Sequence, residues 1–381
     1  MRRCRLAERS ERGVTLIELM VGMLIGLLAV LVISQVLLVV EGQKRSTTSG
    51  ADAQLTGSLA MYTLQRELEM AGYGISTNQN GLGCAIRSTR FNAGNGGATR
   101  TLAPVVITNG GNAGQPDSLR IYAAAKASFS VPTLVTNDHP LAGAGVTEFA
   151  VNNTVGVVAG DLLVAVPPAP DATNTCIVFR ANGVGSTPGR TIAHDSGVGD
   201  AGAWNGANQA ALLAFFPAAG YPAGSYVVNL GPGLVDRSYA ITAGTLRMTE
   251  FNNGTATLTT TDLFPQVVNM QALYGKDTNA DGAVDVYNTV TPNTPALWAQ
   301  VIAIRVALVV RSNQYETEIV TAAAPVWDLG ATPTVTDADT CGSSQCLPLP
   351  VDTDINATDW KNYRYKIYDT VIPLRNLLWR S

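Results

Sequence analysis

The sequence predicts an α+β pattern in which one long N-terminal helix precedes a region of short β-strands with a large, loop-rich insertion. Three observations lead to this prediction. An apolar run covers residues 14–40, a helical pattern without proline continues to about residue 71, and short β-branched or aromatic runs follow from residue 118 onward. With 381 residues, 46% of them hydrophobic and only 14% charged, the chain can bury a substantial core.

The predicted helix is much longer than a membrane is thick. At about 1.5 Å per residue, the 58 residues from 14 to 71 span roughly 87 Å, against about 30 Å for the hydrocarbon core of a bilayer. Residues 14–40 are therefore predicted to form a membrane or filament-core segment, and residues 41–72 an amphipathic half outside the membrane. Gly72 and Gly74 are predicted to end the helix.

The outer half of this helix carries two apolar stripes. They lie nearly opposite each other, with Met61, Leu64, Leu68 and Ala71 on one side and Leu55, Leu59 and Tyr62 on the other. A helix that rests on its own domain needs only one such stripe. The second indicates contact with another subunit, although scattered surface apolar residues would give the same pattern.

The first 13 residues form a basic leader. Five Arg and two Glu give them a net charge of +3, and because the whole chain carries −4, the remainder carries about −7. By the positive-inside rule, the leader lies in the cytoplasm and everything after Val40 lies beyond the inner membrane. A secretory signal is disfavoured, since the apolar run has 27 residues and no A-x-A-like site; a plain single-pass anchor explains the length alone.

Glu18 is the one charged residue between Val14 and Val40. A carboxylate at the centre of a bilayer costs roughly 2.5–3.5 kcal/mol on insertion scales, which makes it a candidate functional residue. This region resembles the cleavage and methylation motif of type IV prepilins, in which a peptidase removes a short leader after a glycine. The resemblance joins four features: a cationic leader, Gly13 at its end, Glu18 as the fifth residue after that glycine, and an uninterrupted apolar helix. The family usually has Phe after the cut, where this chain has Val14.

The resemblance implies that prepilin peptidase cleaves between Gly13 and Val14 and that the amino group of Val14 is then methylated. In a filament of packed apolar helices, Glu18 could pair with this amino group on a neighbouring subunit, because attraction at low dielectric offsets the cost of burying each charge. The alternative interpretation is a carboxylate that reaches the membrane interface, since Glu18 lies about a turn and a half from the mature start.

The cysteine count is consistent with disulfides in the periplasm. Cleavage removes Cys4 and leaves an even four in an oxidising compartment. Four cysteines allow three connectivities. We favour Cys341 with Cys346, which close the short loop CGSSQC, and Cys84 with Cys176.

The globular domain is predicted to cover residues 73–381. Residues 75–116 are rich in Gly, Asn and Thr and predict a long loop. Short β-strands are predicted next, followed by an insertion rich in Gly and Ala at 181–224. The predicted strands are 118–125, 146–151, 161–166, 175–180, 225–230 and 245–251.

Two blocks near the C-terminus carry a second resemblance. A buried strand is predicted at 298–312, with a start that could be helical, and a closing strand at 363–379. The segment RVALVVRS at 305–312 and the terminal Leu-Arg-Asn at 374–376 resemble the PilW type of minor pilin. This likeness covers residues 13–75 and about 262–379, and we assign no family resemblance to the middle third of the chain, about residues 80–260. It implies a type IV pilin-like lollipop, in which the outer half of the helix packs on an antiparallel sheet.

A possible calcium loop lies at residues 277–285. Oxygen ligands from the side chains of Asp277, Asn279, Asp281 and Asp285 and the carbonyl of Ala283 could converge on Ca²⁺. The loop is not an EF-hand, because its twelfth position is Asn rather than a bidentate Glu and no helix clearly flanks it. A metal-free Asp-Gly turn between two strands is the alternative.

No catalytic pattern stands out, and the sequence predicts that the protein is not an enzyme. His139 and His194 both lie in Pro- or Gly-bearing segments and are predicted to be solvated loop residues without a metal. The mature chain is acidic and has no basic run longer than Lys44-Arg45, which disfavours nucleic-acid binding.

The family likeness implies a structural protein of a Gram-negative bacterium that primes or joins a type IV pilus, near the filament tip. Its expected partners are other minor and major pilins, prepilin peptidase and the inner-membrane assembly platform. It would be single-pass in the inner membrane with a periplasmic domain, and later extracellular in the pilus. The alternatives are a minor pseudopilin of type II secretion and a pilus-borne adhesive or ligand-binding module formed by residues 80–260.

Overall fold

A computed structural model describes residues 13–92, 100–111, 114–127, 131–139, 146–185, 190–195, 204–206, 208–352, 355 and 358–378. The chain divides into two compact units, Met1–Asp52 and Ala53–Ser381. The predicted α+β class is confirmed, because a long N-terminal helix precedes mostly antiparallel sheets.

The described helices are one long helix and several short ones. They are α1 (Leu16–Met70), α2 (Thr89–Asn92), α3 (Gln209–Leu213), α4 (Pro295–Trp298) and α5 (Arg375–Leu378), with 3₁₀ turns at Gln79–Gly81 and Asp359–Asn362. The helix predicted over residues 14–71 is thus confirmed to within two residues at each end.

The strands of the first part of the globular unit are mostly short. They are β1 (Ala85–Arg87), β2 (Arg100–Thr101), β3 (Val105–Thr108), β4 (Ser118–Ala124), β5 (Thr133–Leu134), β6 (Glu148–Ala150), β7 (Leu162–Val166), β8 (Cys176–Arg180), β9 (Gly183–Gly185), β10 (Thr191–Ala193) and β11 (Tyr226–Gly231).

Longer strands follow in the second part. They are β12 (Leu234–Thr242), β13 (Thr245–Phe251), β14 (Leu258–Pro265), β15 (Val267–Lys276), β16 (Val286–Asn288), β17 (Val301–Arg311), β18 (Val326–Gly330), β19 (Thr334–Val335), β20 (Asp339–Cys341), β21 (Ser344–Pro348) and β22 (Tyr365–Pro373).

These strands form several sheets. Two five-stranded sheets, in the orders β19-β16-β15-β17-β22 and β14-β13-β12-β4-β3, share one apolar core with the outer part of α1. A six-stranded sheet, β2-β1-β8-β7-β11-β5, and a three-stranded sheet, β6-β10-β9, lie over two further apolar clusters. A small sheet, β18-β21-β20, completes the unit.

In the globular unit, α1 buries one stripe and exposes the other, as predicted. Leu64 and Leu68 are fully buried in the shared core, whereas Leu55, Leu59 and Tyr62 are exposed. Gly57 lets the helix approach β22 closely, because a Cβ at this position would collide with the ring of Tyr368.

Polar contacts close the end of α1. The backbone turns at Gly72, whose φ of 78° is a left-handed value that suits glycine. The side chain of Asn376 donates to the carbonyls of Glu69 (3.4 Å) and Ala71 (3.0 Å), which lack helical partners. The Leu-Arg-Asn segment therefore stabilises the end of α1 and the core beside it, because Leu374 packs in the shared core and Asn376 caps the helix.

Two predictions about secondary structure are wrong. Residues 75–116 are not one loop, since β1, α2, β2 and β3 lie within them. These elements are two to four residues long, too short to show a period against their Gly- and Asn-rich flanks. The tail does not continue as a strand to residue 379, because it turns into α5 after Pro373, and residue 379 lies outside the described part.

Candidate functional site

Glu18 lies in the first turn of α1 and takes part in the N-terminal cap. Its backbone N–H donates to Thr15 Oγ1 at 3.3 Å, and its Oε2 accepts from the backbone N–H of Thr15 at 3.4 Å. Thr15 and Glu18 thus form a capping box, a Ser/Thr followed three residues later by Glu. This is a local role that we did not predict, and it must be separated experimentally from any role of the charge between subunits.

Among the described residues of its own unit, 13–52, none buries the segment around Glu18. Leu16–Lys44 is long and apolar enough to cross a membrane, and none of it is buried. Side chains such as Ile17, Met23 and Leu38 are more than 70% exposed, so this surface requires lipid or other helices around it. Gly13 and Val14 are also exposed, and Met1–Arg12, with Cys4, lie outside the described residues.

Two disulfides are present in the globular unit. Cys84 pairs with Cys176 and Cys341 with Cys346, with Cα–Cα distances of 5.9 and 6.0 Å. The first spans 92 residues and anchors the start of β8 beside β1, whereas the second closes the hairpin of β20 and β21. This is the connectivity favoured from the sequence.

The loop at 277–285 joins β15 to β16 and folds around its own acidic side chains. The carboxylate of Asp277 accepts the backbone N–H groups of Ala280, Asp281 and Gly282 at 2.6–3.3 Å. Asp285 Oδ2 accepts both the backbone N–H and the hydroxyl of Thr278 at 2.7 Å, and these bonds lower the pKa of Asp285.

The remaining predicted ligands of this loop lie close together. Asn279 Nδ2 is 3.2 Å from both Asp281 Oδ2 and Asp285 Oδ1, and the N–H of Ala283 donates to Asp281 Oδ1 at 2.8 Å. The loop therefore brings Asn279, Asp281 and Asp285 to one face, while Asp277 is turned toward backbone N–H groups. Such a turn is satisfied by its own hydrogen bonds without a metal. Among the described residues, the carboxylates of Asp277, Asp281 and Asp285 do not form a group with all three within 4.8 Å of one another.

The prediction of solvated histidines is wrong. His139 and His194 are 2% and 0% exposed, and their Nε2 atoms lie 2.8 Å apart. An isolated antiparallel β-bridge joins the backbone of His139 to that of Tyr221, and the backbone N–H of His194 donates to the carbonyl of Thr147. Burial and the neighbouring imidazole lower the pKa of His194 to about 3. A separation of 55 positions in the sequence gave no sign that the two histidines meet.

A buried ionic triad connects two sheets. Asp236 on β12 accepts from Nε of Arg100 on β2 at 2.9 Å and from Nε of Arg120 on β4 at 2.6 Å. Arg100 and Asp236 are 1% and 2% exposed, and the guanidinium of Arg100 also stacks on Phe91 at 4.0 Å. Nothing in the sequence spacing pointed to this group.

Asp117 makes a second polar link between sheets. Its Oδ1 and Oδ2 accept the N–H groups of Gly110 and Ala272, each at 2.8 Å, and it is 1% exposed. Burial raises the pKa of Asp117 from 3.8 to about 6, against the lowering effect of these two hydrogen bonds. A carboxyl group whose pKa is higher in the folded state stabilises the fold below its unfolded pKa, and that contribution is lost as the pH rises through the folded pKa.

We therefore expect ionisation of Asp117 to lower the free energy of unfolding by about 3 kcal/mol as the pH rises from about 4 to 7, at about 1.36 kcal/mol per unit of pKa shift. The measurement is chemical unfolding of the full chain in detergent at several pH values, for the wild type and Asp117→Asn. Because other carboxyl groups titrate in both proteins, the informative quantity is the difference between their pH profiles. Parallel profiles would contradict the assignment.

Two regions of the chain match models of known protein families. Residues 234–376 match the family model of type IV pilus-assembly protein W, and residues 9–34 match that of the prokaryotic N-terminal methylation motif. Both predicted resemblances are thus confirmed, although the PilW match begins at residue 234 rather than near 262. No curated protein matches the chain.

Among solved structures, the chain is similar to a type IV-like pilin from Thermus thermophilus. The alignment covers 86% of this chain and 97% of that chain, with 10% sequence identity and a TM-score of 0.32.

Proposed function

We propose that this chain, a type IV pilin-like protein with a prepilin methylation motif and a PilW-matched region, is a minor pilin that primes or joins a type IV pilus. In this role it is a structural assembly protein rather than an enzyme. Prepilin peptidase cleaves after Gly13, Val14 is methylated, and the helix waits in the inner membrane with the globular unit in the periplasm. The chain then assembles with other minor and major pilins on the inner-membrane platform.

The observation that carries this proposal is Glu18 on a fully exposed apolar helix that matches the methylation motif. In a filament, sister helices would cover this surface and would bring the amino group of Val14 to the carboxylate. Each charge is costly to bury alone, and the pair offsets that cost. The exposed Leu55, Leu59 and Tyr62 support a second contact with a neighbouring subunit farther along α1.

The mature N-terminus tests the proposal most directly. We expect mass spectrometry of the chain from its native membranes to find N-methylvaline at position 14, and we expect Gly13→Leu to leave Met1 and the leader in place. The matched control is Gly22→Leu, which changes a glycine within α1 that has open space around it. Recovery of an uncleaved wild-type chain would contradict the proposal and favour a plain single-pass membrane anchor.

The size of the globular unit supports a position near the filament tip. The chain continues for 311 residues after Met70 (381 minus 70), and such a bulk would crowd a repeating shaft. Immunogold labelling is expected at filament ends, and regular labelling along the shaft would contradict this position. A minor pseudopilin of type II secretion is the rival; loss of twitching motility on deletion, with secretion intact, favours the pilus.

The loop at 277–285 extends the proposal to calcium. We expect 1 mM Ca²⁺ to raise the unfolding temperature of the full chain relative to EDTA, because an ion that binds only the folded state stabilises it by RT ln(1 + [L]/Kd), about 2.7 kcal/mol at 100 times Kd. Asp281→Ala should abolish the difference, whereas Asp328→Ala, outside the loop, should keep it. An equal unfolding temperature in Ca²⁺ and in EDTA would contradict calcium binding and favour the metal-free Asp-Gly turn.

A further inference from the structure

A lysine, an asparagine and an aspartate meet below the surface where two sheets adjoin. Lys126 lies just after β4, Asp161 directly precedes β7, and Asn229 lies on β11. Asn229 and Asp161 are 3% and 5% exposed, and the side chain of Lys126 is 9% exposed. The proposed pilus role does not use these side chains. A primary amine, a carboxamide and a carboxylate are nevertheless the reactants of an amide exchange and its acid–base catalyst.

The amine of Lys126 and the amide nitrogen of Asn229 share two hydrogen-bond acceptors. Asn229 Nδ2 donates to the carbonyl of Gly156 at 2.9 Å and to Asp161 Oδ2 at 2.8 Å. Lys126 Nζ donates to the same carbonyl and lies 3.4 Å from the same Asp161 Oδ2. These two acceptors therefore hold the amine beside the amide that it would attack. Asp161 contacts both of the nitrogens between which a proton must move in such a reaction.

The backbone around Asn229 suits the same reaction. The register of β11 against β7 shifts between Asn229 and Gly231, as it does at a β-bulge. The N–H of Gly231 donates to Asn229 Oδ1 at 2.7 Å, so it polarises the amide carbonyl and would stabilise the negative charge that this oxygen gains during attack. A Cβ at Gly231 would lie 2.8 Å from Cα and Cβ of Lys126. Glycine at this position therefore lets the lysine approach the strand.

We propose that Lys126 and Asn229 join in an intramolecular isopeptide bond, with Asp161 as the general acid and base. The neutral amine attacks Cγ of Asn229, so that the Nζ–Cγ bond forms and the Cγ–Nδ2 bond breaks. Asp161 takes a proton from Nζ and gives it to Nδ2, which leaves as ammonia. The exchange needs no oxidant, reductant or cofactor. Gly156 is exposed, so the ammonia can reach solvent directly beside the site.

The isopeptide bond would join two sheets that the sequence keeps far apart. Lys126 and Asn229 are separated by 103 positions (229 minus 126). Strand β4, just before Lys126, pairs with β12 in the PilW-matched region, whereas β11 belongs to the six-stranded sheet. The bond therefore ties the middle of the chain covalently to the PilW-matched sheet, and unlike a disulfide it survives reduction. It forms within one chain and does not depend on pilus assembly.

Peptide mass spectrometry of the purified full-length chain, denatured and reduced, tests the proposal. Trypsin does not cut after an acylated lysine, so a linked Lys126 stays inside the peptide 121–180, and Asn229 lies in the peptide 191–237. We expect these two peptides as one joined species, lighter than their sum by about 17 Da, the mass of one ammonia. Fragmentation should place the link between Lys126 and Asn229.

Two conservative variants separate the reaction from the packing of the site. Lys126→Arg keeps the positive charge but not the nucleophilic amine, so the joined species should be absent. Asp161→Asn keeps the shape but cannot carry the proton, so freshly synthesised chain should contain roughly tenfold less of the joined species, or lower still. Asp171→Asn, in the exposed segment between β7 and β8, is the matched control and should be joined as the wild type is.

Two results would overturn the isopeptide bond. Tryptic cleavage after Lys126 in the wild type, with the peptide 191–237 recovered alone, would mean that the three side chains only hydrogen-bond. A joined species at the wild-type level in Lys126→Arg would mean that the link lies elsewhere. The wild-type peptides decide the question even where a variant fails to fold, since they need no substitution. They also do so whatever the state of the mature N-terminus, because neither peptide contains it.

Discussion

Replacing Glu18 by alanine or by glutamine is expected to abolish incorporation of the chain into filaments. Removing one partner of a buried ion pair typically costs about 3–5 kcal/mol, and each 1.4 kcal/mol is a factor of ten, so the amount of chain in sheared filaments should fall at least a hundredfold. The measurement is quantitative immunoblotting of the sheared fraction from a deletion strain complemented with each variant. Mass spectrometry of the same cells reports processing at Gly13.

The glutamine variant distinguishes the capping role that the structure shows for Glu18 from the proposed role of its charge between subunits. Glutamine keeps the capping box with Thr15, which is worth about 0.5–2 kcal/mol, but removes the charge. If Glu18 acts between subunits through its charge, Glu18→Gln should fail as completely as Glu18→Ala. If only the cap matters, Glu18→Gln should assemble normally. Glu41→Ala, at the far end of the apolar run, is the matched control and should assemble.

The N-terminal part of the chain was predictable because its physics is local. A long apolar run, one carboxylate and a proline-free pattern specify a membrane-length helix without reference to the rest of the chain. The same holds for the buried stripe of Leu64 and Leu68, whose spacing alone sets the face that α1 turns to its sheet. Long strands such as β17 were also visible, since β-branched residues recur along them.

The middle of the chain was less predictable because its contacts are distant in sequence. Arg100 and Asp236 are 136 residues apart, and His139 and His194 are 55 apart, so no short pattern connects either pair. The sequence also suggested that residues 80–260 form a module separate from the PilW-like part of the chain, and the sheet pairing does not follow this division. Strand β4 at 118–124 pairs with β12 at 234–242, inside the PilW-matched region. Deleting residues 80–260 would remove β3, β4, β12, β13 and the start of β14, which is nearly the whole of that sheet, so the loss of attachment after this deletion would not separate an adhesive role from misfolding.

Asp236→Ala is expected to cause the largest loss of stability among single substitutions in the globular unit. The change leaves two guanidinium groups facing a cavity without their carboxylate, and Arg100 is 1% exposed, so water cannot replace the lost partner. Breaking a buried pair in this way costs about 3–5 kcal/mol, a large part of the 5–15 kcal/mol that stabilises a typical protein. Stacking of Arg100 on Phe91 offsets only a small part of this cost.

Chemical unfolding of the full chain in detergent measures the effect, and an exposed ion pair provides the matched control. Arg247 and Asp262 lie 2.7 Å apart on neighbouring strands, but their side chains are 36% and 63% exposed, so Asp262→Ala should cost less than about 1 kcal/mol. Asp236→Asn, which keeps the shape but not the charge, should fall between the two. Equal losses for Asp236→Ala and Asp262→Ala would mean that the triad is not what holds β2 to β4 and β12. A loss confined to Asp236 would identify this carboxylate as the charged link between the PilW-matched sheet and the part of the chain that precedes it.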